Sequence, residues 1–68
     1  MSAKYRVTVY DSNYEPHHFV GEDAKVYGAE HGSIEVRFRL LGMNYVRATF
    51  APLSWTWHER EPLAGTDD

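Results

Sequence analysis

A chain of 68 residues without cysteine makes one small domain, held together with no disulfide and no cysteine-based zinc site. Ten acidic residues against seven basic ones leave a net charge of −3, which disfavours nucleic-acid binding by bulk charge. No apolar run has the length of a transmembrane helix or a signal peptide, so the expectation is a cytoplasmic protein with no membrane association.

Lys4 to Tyr10 alternates as a strand, with Tyr5, Val7 and Val9 on one face and Lys4, Arg6, Thr8 and Tyr10 on the other. Asp11-Ser12-Asn13 is a turn whose side chains bond their own backbone. Glu15-Pro16 interrupts any strand, because proline lacks the donor that a ladder needs. His17 to Val20 then reads as a short returning strand, Gly21-Glu22-Asp23 as a bend, and Ala24 to Tyr27 as the strand resumed. A single helical turn over Glu22 to Lys25 is the competing reading. Residues 28–32 form a loop between two glycines.

The strongest pattern runs from Ile34 to Phe50. Ile34, Val36, Phe38 and Leu40 alternate with Glu35, Arg37 and Arg39; Val46, Ala48 and Phe50 alternate with Tyr45, Arg47 and Thr49. This is a β-hairpin with one buried face. Apolar residues must oppose apolar residues, so a three-residue loop of Gly42, Met43 and Asn44 is expected. That register sets Leu40 against Val46, Phe38 against Ala48 and Val36 against Phe50. It also sets Arg39 opposite Arg47, a like-charge pair that either Glu35 or Glu59 relieves or an anionic partner does.

Ala51-Pro52-Leu53 ends the hairpin's second arm, and Ser54 to Arg60 is the last strand, with Trp55 and Trp57 sharing a face. The domain is expected to end near residue 60, with 61–68 a flexible acidic tail. The fold class is therefore all-β: four to five short antiparallel strands in a small SH3-like or Sm-like barrel, or a strongly curled meander sheet. Aromatic residues, 15% of the chain, must supply much of its core.

Little here reads as chemistry. His17 and His18 are adjacent, so a strand points them to opposite faces, and His31 and His58 have no ligand spacing. No nucleophile motif or phosphate loop is present. No catalytic residue, metal or cofactor is expected. Two surfaces are candidates instead. Arg37, Arg39, Tyr45 and Arg47 on the exposed hairpin face suit an acidic protein or a phosphate backbone; the plain alternative is a solvated sheet face with weak salt bridges. Trp55 and Trp57 are core residues, or, if one is exposed, a contact for a partner or a second subunit.

The segment Tyr45-Val-Arg-Ala-Thr-Phe-Ala-Pro-Leu-Ser-Trp-Thr-Trp57 follows a strand and a glycine-containing turn. It resembles the small orphan β-proteins of phages and prophages of high-GC bacteria, which begin with a strand like Lys4 to Tyr10 and end in a strand, Ala-Pro, strand element. The Tyr14 to Val20 stretch departs from the two-residue first turn of such chains. The resemblance carries no functional residues. It implies a short accessory protein that binds and modulates a host protein. A small nucleic-acid-binding barrel and a homo-oligomeric or virion-associated structural piece are the alternatives, and a homodimer is compatible with each.

Overall fold

In the computed structural model, which describes residues 3–28 and 30–63, the chain folds into two three-stranded antiparallel sheets. The strands are β1 (Lys4–Asp11), β2 (Pro16–Glu22), β3 (Lys25–Gly28), β4 (Ile34–Leu40), β5 (Met43–Phe50) and β6 (Trp55–Pro62). Sheet one has the order β2-β1-β6 and sheet two the order β3-β4-β5. The expected all-β antiparallel fold is present. It has six strands rather than four or five, and the sheets do not close into a barrel, because β5 and β6 lie at free edges of different sheets.

Asp11 shapes the β1–β2 turn as its residue type suggests. Its Oδ1 accepts the backbone N–H of Asn13 at 2.8 Å and of Glu15 at 3.0 Å. Its Oδ2 lies 2.9 Å from His17 Nε2. The helical turn read as the alternative over Glu22 to Lys25 does not form. Gly21 and Glu22 finish β2, and the chain changes sheet through Asp23 and Ala24, with Asp23 at φ 50°. The sheets stack as β2 passes beneath β4. Gly21 makes this possible, since a Cβ there would sit 2.5 Å from Cδ2 of Phe38.

The core lies between the sheets. Val7 and Val9 from β1 meet Ala24, Ile34, Val36 and Phe38, and all of these are buried. Tyr5, Phe19, Val26, Ala48, Phe50 and Trp55 close its margins. Fully burying a valine or larger aliphatic side chain is worth roughly 1.5–3 kcal/mol, so so few residues leave a domain of this size near the limit of stability. Arg60 ties the sheets together at one end. Its guanidinium lies 3.6 Å from the centroid of the Tyr5 ring, and its Nε donates to Ala24 O at 2.7 Å.

Two bulges correct the sequence reading. The β4–β5 turn is not the three-residue loop Gly42-Met43-Asn44. It is a two-residue turn at Leu41 (φ 54°) and Gly42 (φ 79°), the positive-φ pair of a type I′ hairpin. Leu40 therefore opposes Met43 and Phe38 opposes Tyr45. A bulge at Arg47 then restores the apolar register, with Val36 against Ala48 and Ile34 against Phe50. The parity argument fails because the extra residue sits inside the strand rather than in the loop.

The second bulge is in β6. Tyr10 opposes Trp57 while Asp11 opposes Trp55, so Thr56 is the extra residue. Its Oγ1 donates to Asp11 O at 3.2 Å. Trp55 and Trp57 consequently do not share a face. Trp55 packs against the core and its Nε1 donates to Gly32 O at 2.9 Å, while Trp57 is 61% exposed. The end of the strand also lies later than expected. Glu61 and Pro62 complete β6, and Leu63 N donates to Lys4 O. Residues 64–68 of the expected tail lie outside the described residues.

Candidate interaction surfaces

The outer face of sheet two carries Lys25 and Tyr27 from β3, Glu35, Arg37 and Arg39 from β4, and Asn44, Val46 and Thr49 from β5. Val46 and the bulged Arg47 together stand opposite Arg37. The two-residue turn removes the expected apposition of Arg39 and Arg47, because it sets Arg39 opposite Asn44. The like-charge cross-strand pair is Lys25 with Arg37 instead. Carboxylates compensate it. Arg37 donates Nε and an Nη to Glu35 Oε1 at 2.9 and 2.6 Å, and its guanidinium lies 4.3 Å from the centroid of the Tyr27 ring. Asp23, at the sheet crossing, faces Lys25 (3.5 Å), Arg39 (3.8 Å) and Arg60 (3.5 Å).

Of the two carboxylates expected to relieve the arginines, Glu35 does so for Arg37. Glu59 does not, because it belongs to the other sheet. Asp23, which serves Arg39, has no signal in the sequence beyond its place in the Gly21-Glu22-Asp23 bend. The Arg47 side chain has no ion pair or hydrogen bond among the described residues. The structure thus brings Arg37, Arg39 and Arg47 together but separates Tyr45 from them. Tyr45 stands on the inner face, edge-on to Phe38 with ring centroids 5.9 Å apart.

Tyr45 belongs to a surface that the sequence reading did not identify. The β4–β5 hairpin is longer than the sheet beneath it, so its inner face emerges into solvent beyond Phe38. Leu40 (58% exposed) and Met43 (71%) sit directly opposite one another there, beside Tyr45, with Leu41 (91%) at the turn. Leu41 and Met43 are visible as apolar residues near a turn, but only the extent of the opposite sheet decides that nothing covers them.

Sheet one shows a different outer face. Arg6 lies opposite Glu61, Thr8 opposite Glu59 and Tyr10 opposite Trp57, with Glu22, Val20 and His18 from β2 on the other flank. Arg6 Nε donates to Glu61 Oε2 at 2.8 Å. Thr8 Oγ1 lies 2.9 Å from His18 Nδ1, and the Tyr10 hydroxyl donates to Glu59 Oε2 at 3.1 Å. That bond and the charge of Glu59 push the Tyr10 phenol above its ordinary value. As expected, His17 and His18 diverge: His17 faces inward near Phe50 and His18 outward on Thr8.

Among the described residues, no three His, Asp or Glu side chains are grouped to hold a metal ion, and no helix is long and apolar enough to cross a membrane. No model of a protein family matches the chain, and searches of curated proteins and of solved structures find no match.

Proposed function

We propose that this domain is a non-enzymatic protein-binding module, an accessory protein of phage type that engages and modulates a host protein in the bacterial cytoplasm. The observation that carries the reading is the uncovered tip of the β4–β5 hairpin, where Leu40, Leu41, Met43 and Tyr45 form a contiguous exposed apolar strip. Strips of this kind mark interaction sites, and a domain with so small a core gains nothing in stability by leaving one uncovered. Arg47 stands uncompensated in the same strand, so a partner with an apolar groove and an acidic rim fits best. The resemblance to phage accessory β-proteins supports the host-protein context.

Nucleic acid fits less well. Arg37 and Arg39 already face Glu35 and Asp23, and the net charge is −3. The free edge of β5 favours self-assembly as a second reading, since eight residues with one charged side chain offer a template for another strand. The strand order supports reading the fold as an opened SH3-like barrel, with β2 running almost directly into β3 and β6 returning beside β1.

The test is retention of proteins from a bacterial lysate by the tagged domain, with and without nuclease, beside a Met43→Asp variant and an Arg47→Glu variant. A stoichiometric host protein that survives nuclease and is lost from Met43→Asp supports the proposal. Loss on nuclease treatment turns the reading to nucleic acid. Retention unchanged in both variants removes the hairpin from the interface. Recovery of the bait alone, with a dimeric mass in solution, favours self-assembly.

A further inference from the structure

The outer face of sheet one holds a constellation that the hairpin reading leaves unused. Tyr10 and Trp57 are direct cross-strand partners, so two aromatic side chains stand next to one another on an open sheet face. Trp57 is more than half exposed in a chain that partly buries Trp55 against its core. Glu59 follows Trp57 on the same side of β6, and the Tyr10 hydroxyl bonded to its Oε2 holds the carboxylate beside the rings. Glu61 has Arg6 as its partner, but Glu59 has no ion pair among the described residues.

Two aromatic faces with one uncompensated carboxylate are the chemistry that receives a cation. Arginine suits the arrangement better than lysine, since a planar guanidinium stacks on an indole while donating two parallel bonds to a carboxylate. This fold already uses arginine over tyrosine twice, at Arg37 with Tyr27 and at Arg60 with Tyr5. The charge of the surroundings agrees. Glu22, Glu59 and Glu61 lie on this face against Lys4 and Arg6, and the other sheet's outer face carries Lys25, Arg37, Arg39 and Arg47.

We propose that the outer face of sheet one is a second interaction surface, at which Tyr10, Trp57 and Glu59 receive an arginine-bearing basic segment of a protein partner. The floor is set for this. Thr8, opposite Glu59 and two residues before Tyr10, is buried and held against His18, so the rings stand on a fixed strand pair and not on a loop. The guanidinium lies over the Trp57 indole, and the Glu59 oxygen that the Tyr10 hydroxyl leaves free accepts its N–H groups. The surface is independent of the hairpin tip, which belongs to the other sheet.

The experiment is an NMR titration of the isotope-labelled full chain with a short peptide of three arginines spaced by glycine, beside an equivalent glutamate peptide. The arginine peptide is expected to move the Trp57 indole N–H resonance saturably and to leave that of Trp55 in place, because Trp55 Nε1 is engaged with Gly32 O. Trp57→Ala and Glu59→Gln should each weaken binding by about three- to tenfold, the scale of one exposed cation–π or ion-pair contact. Met43→Asp should leave it unchanged, which separates this surface from the hairpin reading. The proposal is overturned if no saturable shift appears at millimolar peptide, if the glutamate peptide binds as well, or if both variants bind like the parent. It is also overturned if the Trp57 resonance moves on raising protein concentration alone, since a second copy then covers the face.

Discussion

β1 and β4 are the central strands of their sheets, and both alternate apolar with polar residues, yet they end differently. β1 is paired along both edges, and its inner residues Val7 and Val9 are fully covered. β4 begins the same way, with Ile34, Val36 and Phe38 buried, but two residues later Leu40 is in solvent. The alternation is continuous through Leu40, and the covering sheet is not. Alternation assigns side chains to a face; burial requires that something lie over that face. The part of the pattern with nothing over it becomes the candidate contact surface.

Gly21 packs against Phe38, the last covered residue of β4, and replacing it is the strongest way to disturb the comparison. Gly21→Ala places a methyl group within 3 Å of three Phe38 ring atoms. It is expected to cost about 2–3 kcal/mol as overpacking, read as a lower urea midpoint. A smaller loss would mean that the sheets slide apart without penalty. The contrast along β4 itself comes next. Val36→Ala should destabilise by about 1–3 kcal/mol, whereas Leu40→Ala on the same face should change stability by less than ~0.5 kcal/mol. Equal effects in the same denaturation series would show that the hairpin tip is covered after all.

The β4–β5 turn gives a gain rather than a loss. Leu41 holds a left-handed conformation that suits asparagine, and its side chain is almost wholly exposed. Leu41→Asn should stabilise by about 0.5–1 kcal/mol, seen as a raised thermal midpoint. No gain would point to a packing role for Leu41 at the tip.

The smallest effects are pH-dependent and belong to sheet one. His17, then the backbone N–H of Glu15 and Asn13, hold the Asp11 carboxyl below its ordinary value of 3.8. A carboxyl lowered by folding stabilises the native state above its unfolded value and loses that contribution as pH falls through its lower folded value. Asp11→Asn should therefore flatten the acid limb of stability below about pH 4, measured by denaturation at several pH values. An unchanged slope would remove Asp11 as the source. Tyr10 provides the basic counterpart. Its phenol should ionise above its ordinary 10.0 in an ultraviolet titration and return toward that value in Glu59→Gln. If the variant titrates like the parent, the Tyr10–Glu59 bond is absent in solution.

How far the surfaces were legible follows from the bulges. The Arg37–Arg39 pair could be placed on one face from alternation alone, since β4 is regular. Tyr45 and Arg47 could not, because the bulge at Arg47 and the two-residue turn together invert Tyr45 relative to the arginines while keeping Val36 opposite an apolar residue. Trp55 and Trp57 were misassigned for the same reason, through the bulge at Thr56. A bulge costs the sequence only one residue of phase and has no required residue type. The Asp11 turn, in contrast, was readable because its carboxylate accepts backbone N–H groups only two and four residues along the chain.

The sequence by itself determined that the chain is all-β, which stretches are strands, and which alternate residues of β1 and β4 face the core. These depend on local geometry, the period of two and the turn chemistry of Asp11; Pro16, read as a break, instead opens the edge strand β2 opposite Tyr10. Only the tertiary structure decided that the sheets stack without closing, that Trp57 turns outward while Trp55 turns in, and that the end of the β4–β5 hairpin stands uncovered. Each of these depends on residues distant in the chain, Gly21 beneath Phe38 and Tyr10 beside Trp57, and no local pattern encodes where one sheet ends over another.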